Sequence, residues 1–326
     1  MELSNLLYLT VIGASLTITV LSERLLIPIL SGKASQPIYA EGPSWHKRKS
    51  GTPTMGGIGF LLGISVPLLF VILTLLYTKD NETALSIGAI LGFGIINSGI
   101  GIIDDLSKIA KKENQGLTAG QKLLLQTLSV IAFLLIERRL TGGNTEISFG
   151  SFGIELGGFY YVLCAVALLG AVNCANLTDG IDGLATGVAF AIGIALLYIS
   201  DLVFWDLGYV AAALIGGTLG FLFFNIHPAK IFMGDTGSLF LGAVIGACAI
   251  MLGNPLLLIP LGIVYFIEGA SVIIQVAVFK LTGKRVFKMA PLHHHLEKCG
   301  FSENKIVISA LLLTLLSGTL AFSLYL

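Results

Sequence analysis

The sequence predicts an all-α polytopic membrane protein, and three observations support this fold class. Of the 326 residues, 55% are hydrophobic and 12% are charged, a composition unlike that of a soluble domain. The mean hydropathy is +0.90. Apolar segments of about 20 residues, the length that crosses a hydrocarbon core of about 30 Å, recur along the chain. We therefore expect a single membrane domain over residues 1–326 with about ten transmembrane helices.

The predicted spans follow one another with short polar connections. They cover approximately residues 5–30, 55–77, 84–103, 122–136, 158–173, 183–200, 207–225, 237–252, 255–279 and 306–325. The stretch TEISFGSFGIEL alternates apolar and polar residues on both sides of Gly150 and Ser151. This alternation predicts a small β-hairpin after the fourth span.

The basic residues predict the orientation of the spans, because Lys and Arg collect in cytoplasmic loops. Of the 19 Lys and Arg residues, 15 follow odd-numbered spans, 3 follow even-numbered spans (Lys79, Arg138 and Arg139), and Arg24 lies near the end of the first span. The loops after odd-numbered spans are therefore predicted to be cytoplasmic. Both termini and the hairpin are predicted to lie outside, on the periplasmic side.

The ionisable residues share one predicted side of the membrane. All five histidines and the aspartates of the motifs below fall on the cytoplasmic side. A transporter usually places such groups on broken helices near the midplane, whereas here they gather where helices meet water. This placement favours an enzyme that joins a soluble substrate to a lipid one. The formal net charge is zero, so nothing indicates a nucleic-acid partner.

The segment DDLSK ends the third span with Asp104, Asp105 and Lys108. Carboxylate oxygens suit Mg²⁺, and a lysine within one turn suits phosphate. A helix end that is merely solvated by polar side chains is the alternative interpretation.

The segment NCANLTDGIDGLA spaces Asn173, Asn176, Asp179 and Asp182 three residues apart, which aligns them along one face of a helical turn. Gly180 leaves room for a ligand to approach the backbone. Helix capping would explain one of these carboxylates but not four polar residues in register. The spacing therefore favours a binding site.

Two other segments enter helices from the same side. Asp235, in FMGDTGSL, precedes the eighth span; capping and metal binding are both open to it, and one carboxylate can do both. KSGTPTMGG offers Lys49, hydroxyl groups such as that of Thr54, and backbone donors at the start of the second span. A simple turn followed by a cap would account for part of this pattern.

The segment APLHHHLE places Pro291 where it can open a short helix, with His293, His294 and His295 in the first turn. Helix N-termini attract anions, and imidazoles add donors. A zinc site is the alternative, but three consecutive histidines cannot all face one ion from a helix. We expect phosphate recognition or proton transfer here.

Glycine spacing and one glutamate within the spans have structural interpretations. Gly242 and Gly246 form a GxxxG pair, and Gly216 and Gly220 are spaced in the same way. Such pairs predict either close packing within the chain or a homodimer face. Glu268 lies inside the ninth span, where a hydrogen bond across the bundle is one interpretation and a functional role the other; it is not included in the predicted catalytic set.

Together and in this order, KSGTPTMGG, DDLSK, NLTDGIDGLA, FMGDTGSL and APLHHHLE resemble the polyprenyl-phosphate N-acetylhexosamine-1-phosphate transferases over nearly the whole chain. GTPTMGG and PLHHHLE are similar to the subfamily of phospho-N-acetylmuramoyl-pentapeptide transferases. The resemblance implies a Mg²⁺-dependent transfer of phospho-N-acetylmuramoyl-pentapeptide from UDP to undecaprenyl phosphate, giving lipid I and UMP at the cytoplasmic face of the bacterial inner membrane. The alternatives are a sister transferase that uses UDP-N-acetylglucosamine and, in another class, an ion-coupled lipid or nucleotide-sugar transporter.

The resemblance also implies roles for individual residues. Asp235 matches a Mg²⁺ ligand, with Asp104 close to the metal and the acceptor phosphate. Asp105 would assist there or act as the base, and His293 completes the implied catalytic set. Phe232 would stack on uracil. The implied substrate-binding residues are Lys49, Thr54, Lys108, Lys122, Asn173, Asn176, Asp179, Gly180, Asp182, Asn225, Phe232, Gln275, His294 and His295.

Overall fold

Helices form wherever the sequence stays apolar for about five turns. The computed structural model describes residues 2–32, 34, 49, 51–111, 113, 115–149, 152–202 and 207–325. The helices are α1 (Glu2–Leu30), α2 (Gly57–Tyr77), α3 (Asn81–Lys111), α4 (Ala119–Leu140), α5 (Gly158–Thr178), α6 (Leu184–Leu202), α7 (Gly208–Asn225), α8 (Gly234–Met251), α9 (Leu258–Leu261), α10 (Ile263–Thr282), α11 (Leu292–Lys298) and α12 (Glu303–Tyr325).

Ten helices in the described part of the chain are long and apolar enough to cross a membrane, namely α1 to α8, α10 and α12. They confirm the prediction of an all-α polytopic protein. Some helices extend beyond the predicted spans: α3 continues to Lys111 instead of residue 103, and α5 to Thr178 instead of residue 173. Hydropathy falls where these helices carry polar side chains, although the backbone remains helical.

The ninth span is the main departure from prediction, because it was expected to run unbroken from residue 255. Instead, a 3-10 turn at Pro255–Leu257 leads into the short α9, and α10 begins only after Gly262. Pro255 and Pro260 have no N–H to donate, so a regular helix cannot be continued through this stretch with full backbone hydrogen bonding. Hydropathy does not register such a break.

The predicted hairpin is present between α4 and α5. Strand β1 (Glu146–Phe149) pairs antiparallel with β2 (Phe152–Glu155), while residues 150–151, the expected turn, lie outside the described residues. Asn254 Nδ2 donates to the Ser148 carbonyl at 2.9 Å. Because Asn254 follows the end of α8, the hairpin packs at that end of the helix bundle, opposite the start of α8.

Helix α8 is the centre of the bundle, with residues 236–251 all buried. Small residues allow the close approach: a Cβ at Gly242 or Gly246 would press on α5, and one at Gly216 or Gly220 would press on α1. These glycines therefore pack within the chain. The homodimer stays a prediction.

Candidate active site

The ends of α3 and α8 bring three carboxylates together. A Cβ at Gly101 of α3 would overlap the carbonyl group of Asp235, so only glycine lets the two helices approach this closely. As a result, oxygens of Asp104, Asp105 and Asp235 lie within 4.8 Å of one another. The first two carboxylates are buried and the third is half-buried.

Asp105 caps α8 from the neighbouring helix. Its Oδ2 accepts from the backbone N of Thr236 at 2.9 Å and from Thr236 Oγ1 at 2.7 Å, and its Oδ1 accepts from the backbone N of Asp235 at 3.2 Å. Met233, which precedes α8, provides no side-chain cap. A carboxylate in this place satisfies the first free N–H groups and lies at the positive end of the helix dipole. Asp105 thereby holds Asp235 in place.

Two lysines compensate the charge of the other two carboxylates. Lys108 Nζ lies 2.7 Å from Asp104 Oδ2 and 3.2 Å from Asp235 Oδ2. Lys122 Nζ lies 2.5 Å from Asp235 Oδ2, and Asn176 Nδ2 donates to Asp235 Oδ1 at 2.9 Å. The structure thus brings together five predicted site residues, namely Asp104, Lys108, Lys122, Asn176 and Asp235. We call these five residues and Asp105 the acidic cluster.

The acidic cluster fits a divalent cation such as Mg²⁺. Its donors are carboxylate oxygens, which hard cations prefer. Asp104 Oδ2 and Asp235 Oδ2 already converge on one positive charge, the ammonium of Lys108, whereas both oxygens of Asp105 are occupied by α8. Asp104 and Asp235, the two predicted ligands, are therefore the residues best arranged to hold the metal.

A second polar group surrounds Lys49. Its Nζ lies 2.8 Å from Asp182 Oδ1 and 2.8 Å from Glu303 Oε2, and His227 Nδ1 lies 3.0 Å from Asp182 Oδ2. These side chains line a cavity of about 620 Å³, and residues 300–304 contribute to the same lining. A cavity of this size accommodates a nucleoside. We call it the Lys49 cavity.

The turn between α5 and α6 lies between the acidic cluster and the Lys49 cavity. Asn176 binds Asp235 in the first, and Asp182 binds Lys49 in the second. Burial raises the pKa of the Asp179 carboxyl well above its ordinary value, and the nearby carboxylates of Asp235 and Asp105 raise it further. By its accessible surface, Asp179 is half-buried.

The three consecutive histidines make different contacts. His293 is fully buried; its backbone N donates to both oxygens of Glu268 at 3.2 Å, and its Nδ1 lies 3.1 Å from Glu268 Oε2. His294 Nδ1 lies 2.7 Å from Glu297 Oε2 within α11. His295 Nδ1 accepts at 3.1 Å from the backbone of the loop before α11. The first backbone N–H groups of α11, which were predicted to attract an anion, therefore include one that is bound by the carboxylate of Glu268.

Five other predicted site residues lie apart from the acidic cluster or support backbone near it. Gln275 holds the loop before α11 through three hydrogen bonds. Asn225 ties the end of α7 to the start of α6, and Asn173 bonds across to α4. Phe232 is half-buried and bonds through its backbone to the segment before α2. Thr54 is buried, and its Oγ1 has no hydrogen-bond partner among the described residues.

Three residues that complete these contacts were not among the predicted site residues. Glu303 binds Lys49 although 254 positions separate them, and no local pattern indicates such a pairing. His227 had only its predicted side of the membrane to indicate it. Glu268 had a signal, an ionisable group within an apolar span. The remaining histidine, His46, lies outside the described residues.

Two family models match segments of this chain that contain predicted site residues. The model described as glycosyl transferase family 4 matches residues 87–253, which include the acidic cluster and the α5–α6 turn. A signature described as phospho-N-acetylmuramoyl-pentapeptide-transferase signature 1 matches residues 49–61, which include Lys49 and Thr54.

Curated relatives match nearly the full length of the chain. The phospho-N-acetylmuramoyl-pentapeptide-transferase of Halalkalibacterium halodurans is 45% identical over 324 residues, covering 98% of this chain and 97% of the relative. The proteins of the same name from Shouchella clausii and Clostridium perfringens are 44% and 42% identical. The first covers 95% of this chain and 94% of the relative, and the second 92% and 91%.

Proposed function

We propose a reaction for this chain from the premise that it belongs to the phospho-N-acetylmuramoyl-pentapeptide-transferase family. The chain transfers phospho-N-acetylmuramoyl-pentapeptide from its UDP carrier to undecaprenyl phosphate, giving lipid I and UMP for peptidoglycan synthesis. One diphosphate linkage replaces another, so the reaction is close to thermoneutral and requires no ATP. Residues 1–326 act as one integral membrane transferase domain.

One observation carries the proposal. The segment 176–182 contacts the acidic cluster through Asn176 and the Lys49 cavity through Asp182. A substrate with a nucleoside at one end and a reactive phosphate at the other requires two such sites at a fixed separation. The ends of apolar helices form the acidic cluster, where the phosphate of a membrane lipid can reach it.

The Lys49 cavity is the proposed site for the uridine end of the donor. Asp182 and Glu303 hold the Lys49 ammonium at the cavity wall. Phe232, the residue expected to stack on uracil, is not among the residues that line this cavity. The donor's diphosphate then extends along the Asp179–Gly180 turn toward the acidic cluster. The ammonium group of Lys49 forms an ion pair with the phosphate attached to uridine.

The acidic cluster is the proposed site for the phosphate of undecaprenyl phosphate. Lys108 and Lys122 neutralise part of its charge and orient it. Asp104 and Asp235 would hold Mg²⁺, which, when bound, offsets the negative charge of the crowded phosphates. Asn176 and Asp105 keep Asp235 in place while the lysines turn toward the substrates.

The transfer proceeds by direct displacement. An oxygen of the lipid phosphate bonds to the phosphorus attached to the sugar, and the bond from that phosphorus to the bridging oxygen breaks. UMP leaves with the electron pair. The lipid phosphate is already an anionic nucleophile, so no covalent enzyme intermediate is required.

The reaction takes place at the cytoplasmic face of the bacterial inner membrane. The UDP-linked donor is soluble, so the acidic cluster and the Lys49 cavity face the cytoplasm, in agreement with the bias of Lys and Arg toward that side. Both termini and the hairpin then lie on the outer side.

An assay of UMP release tests the proposal. Purified protein with Mg²⁺ and undecaprenyl phosphate is incubated with UDP-N-acetylmuramoyl-pentapeptide or with UDP-N-acetylglucosamine. We expect UMP only from the first donor, and only when the lipid phosphate is present. Release from the second donor alone would assign the chain to the sister reaction, and release from neither would reject the transferase function.

A further inference from the structure

We propose that Glu268 is a positioning residue that acts through His293 on the turn between α5 and α6. It sets the place of the turn and does not itself contact a substrate. The inference rests on the proposed function only for the choice of substrates in the assay. Three sets of contacts lead to it.

The first set joins α10 to α11. Glu268 has a relative exposure of 4%, and three hydrogen bonds from one residue, His293, satisfy its two oxygens: two from the backbone N at 3.2 Å and one from Nδ1 at 3.1 Å. Because an ionised carboxylate only accepts, Nδ1 must carry a hydrogen. Glu268 therefore fixes both the tautomer and the rotation of the imidazole ring.

The second set joins the ring to Gly180. The ring is fully buried, and its Nε2 has no hydrogen-bond partner among the described residues. A Cβ at position 180 would overlap Nε2 and crowd Cε1 and Cδ2. Gly180 has no positive φ, so its backbone conformation admits other residues. The three atoms nearest to such a Cβ all belong to the imidazole ring, so this ring is the main obstacle to a side chain here.

The third set joins Gly180 to both halves of the site. Asp179 precedes it beside the acidic cluster, and Asp182 follows two residues later in the Lys49 cavity, with its backbone N donating to Glu303 at 3.0 Å. A shift of the turn by a fraction of an ångström would change the separation between the two sites. The edge of the His293 ring thus packs against the turn at Gly180 and limits how far the turn can move toward α11.

The alternative is that Glu268 simply fastens α11 to α10. Such a purely structural role requires the backbone N of residue 293 but not an imidazole ring, and a buried ring nitrogen without a hydrogen-bond partner destabilises the fold. A positioning role of Glu268 through the His293 ring, which we call the relay, explains why the imidazole is present and why position 180 lacks a side chain. The two interpretations differ in their kinetic consequences.

The test is a double-mutant cycle on UMP release. We expect Gly180→Ala to lower kcat/KM for the UDP-linked donor about 10- to 100-fold, as loss of supporting contacts commonly does. In a His293→Ala background the added methyl group has room, so the same change should lower kcat/KM by less than about threefold. Glu268→Gln should lower kcat/KM in the native background and have no further effect once His293 is alanine.

Two matched controls separate the relay from general damage. Gly170→Ala changes a glycine of α5 that has open space around it, and Glu137→Gln changes a buried carboxylate near the hairpin end of α4. Both should keep kcat/KM near that of the unmodified protein.

Independent effects of Gly180→Ala and His293→Ala would overturn the relay. So would a fall in Tm for Glu268→Gln with kcat/KM unchanged, which is the result for a purely structural role. If the unmodified protein releases no UMP, the proposed function fails, but the relay is still tested: the Tm loss of Gly180→Ala should disappear in the His293→Ala background.

Discussion

Replacement of Asp105 by asparagine distinguishes a helix cap from a catalytic base. The carboxylate accepts three hydrogen bonds from the start of α8, at 2.7, 2.9 and 3.2 Å. Asparagine keeps one oxygen, which can still accept from Thr236, but its amide group would face the N–H of Asp235, donor against donor. One charge-assisted bond is lost, worth about 1.5–3 kcal/mol, and the interaction with the helix dipole, about 0.3–1 kcal/mol, goes with it.

These losses sum to about 2–4 kcal/mol of unfolding free energy. At roughly 2 °C per kcal/mol for a chain of this size, Tm should fall by about 4–8 °C. The assay is thermal unfolding of the detergent-solubilised protein, with UMP release measured well below Tm. Thr236→Val, which removes only the hydroxyl bond, is the matched control and should lower Tm by about half as much.

We expect Asp105→Asn to retain kcat within about tenfold, whereas loss of a general base costs about 10²- to 10⁴-fold. An unchanged Tm with a thousandfold loss of kcat would refute the capping role.

Four further predictions test other parts of the site. Asp235→Asn should abolish UMP release, because an amide is a weaker metal ligand, and should lower Tm, because Lys108 and Lys122 lose a paired carboxylate; near-normal turnover would remove Asp235 from the metal site. Lys49→Met should raise the KM for the donor about tenfold and lower Tm, and adding Glu303→Gln should restore Tm but not KM. Asp179→Asn should raise Tm at neutral pH. The pKa of Asp179 is raised in the folded protein, so this carboxyl destabilises the fold once the pH exceeds the pKa of an aspartate in the unfolded chain. The gain in Tm should vanish toward about pH 4, and a gain independent of pH would contradict this assignment. In a Cys299→Ser background, Asn144→Cys should react with an impermeant thiol reagent outside intact cells and Arg285→Cys should not; the reverse pattern would invert the orientation.

The sequence was most informative where a local pattern decides the structure. The second span was predicted as 55–77 and is Gly57–Tyr77, and the seventh was predicted as 207–225 and is Gly208–Asn225, because these helices are apolar to their ends. The break at Gly262 was missed because the apolar run continues through it. Hydropathy reports the environment of a segment and not its backbone hydrogen bonding.

The candidate site was predictable in its residue types but not in its pairings. The carboxylates and lysines were recognisable from their spacing and from the family resemblance. That Asp105 caps α8, that Glu303 meets Lys49, and that Glu268 occupies the start of α11 depend on which helices are neighbours. Long-range packing decides such neighbours, and a single sequence does not encode them in any local period.

The charges of the acidic cluster explain why both lysines lie within it. Three carboxylates face two ammonium groups, and the dipole of α8 offsets the charge of Asp105, so the cluster is close to neutral as it stands. Each substrate phosphate that arrives adds negative charge in a place with little water, where repulsion is poorly screened. Lys108 and Lys122 can each turn to a phosphate only if another cation takes over Asp104 and Asp235. A divalent metal held by Asp104 and Asp235 would therefore favour binding of the phosphates, and the phosphates would favour binding of the metal. Without them, the lysines keep the carboxylates in place.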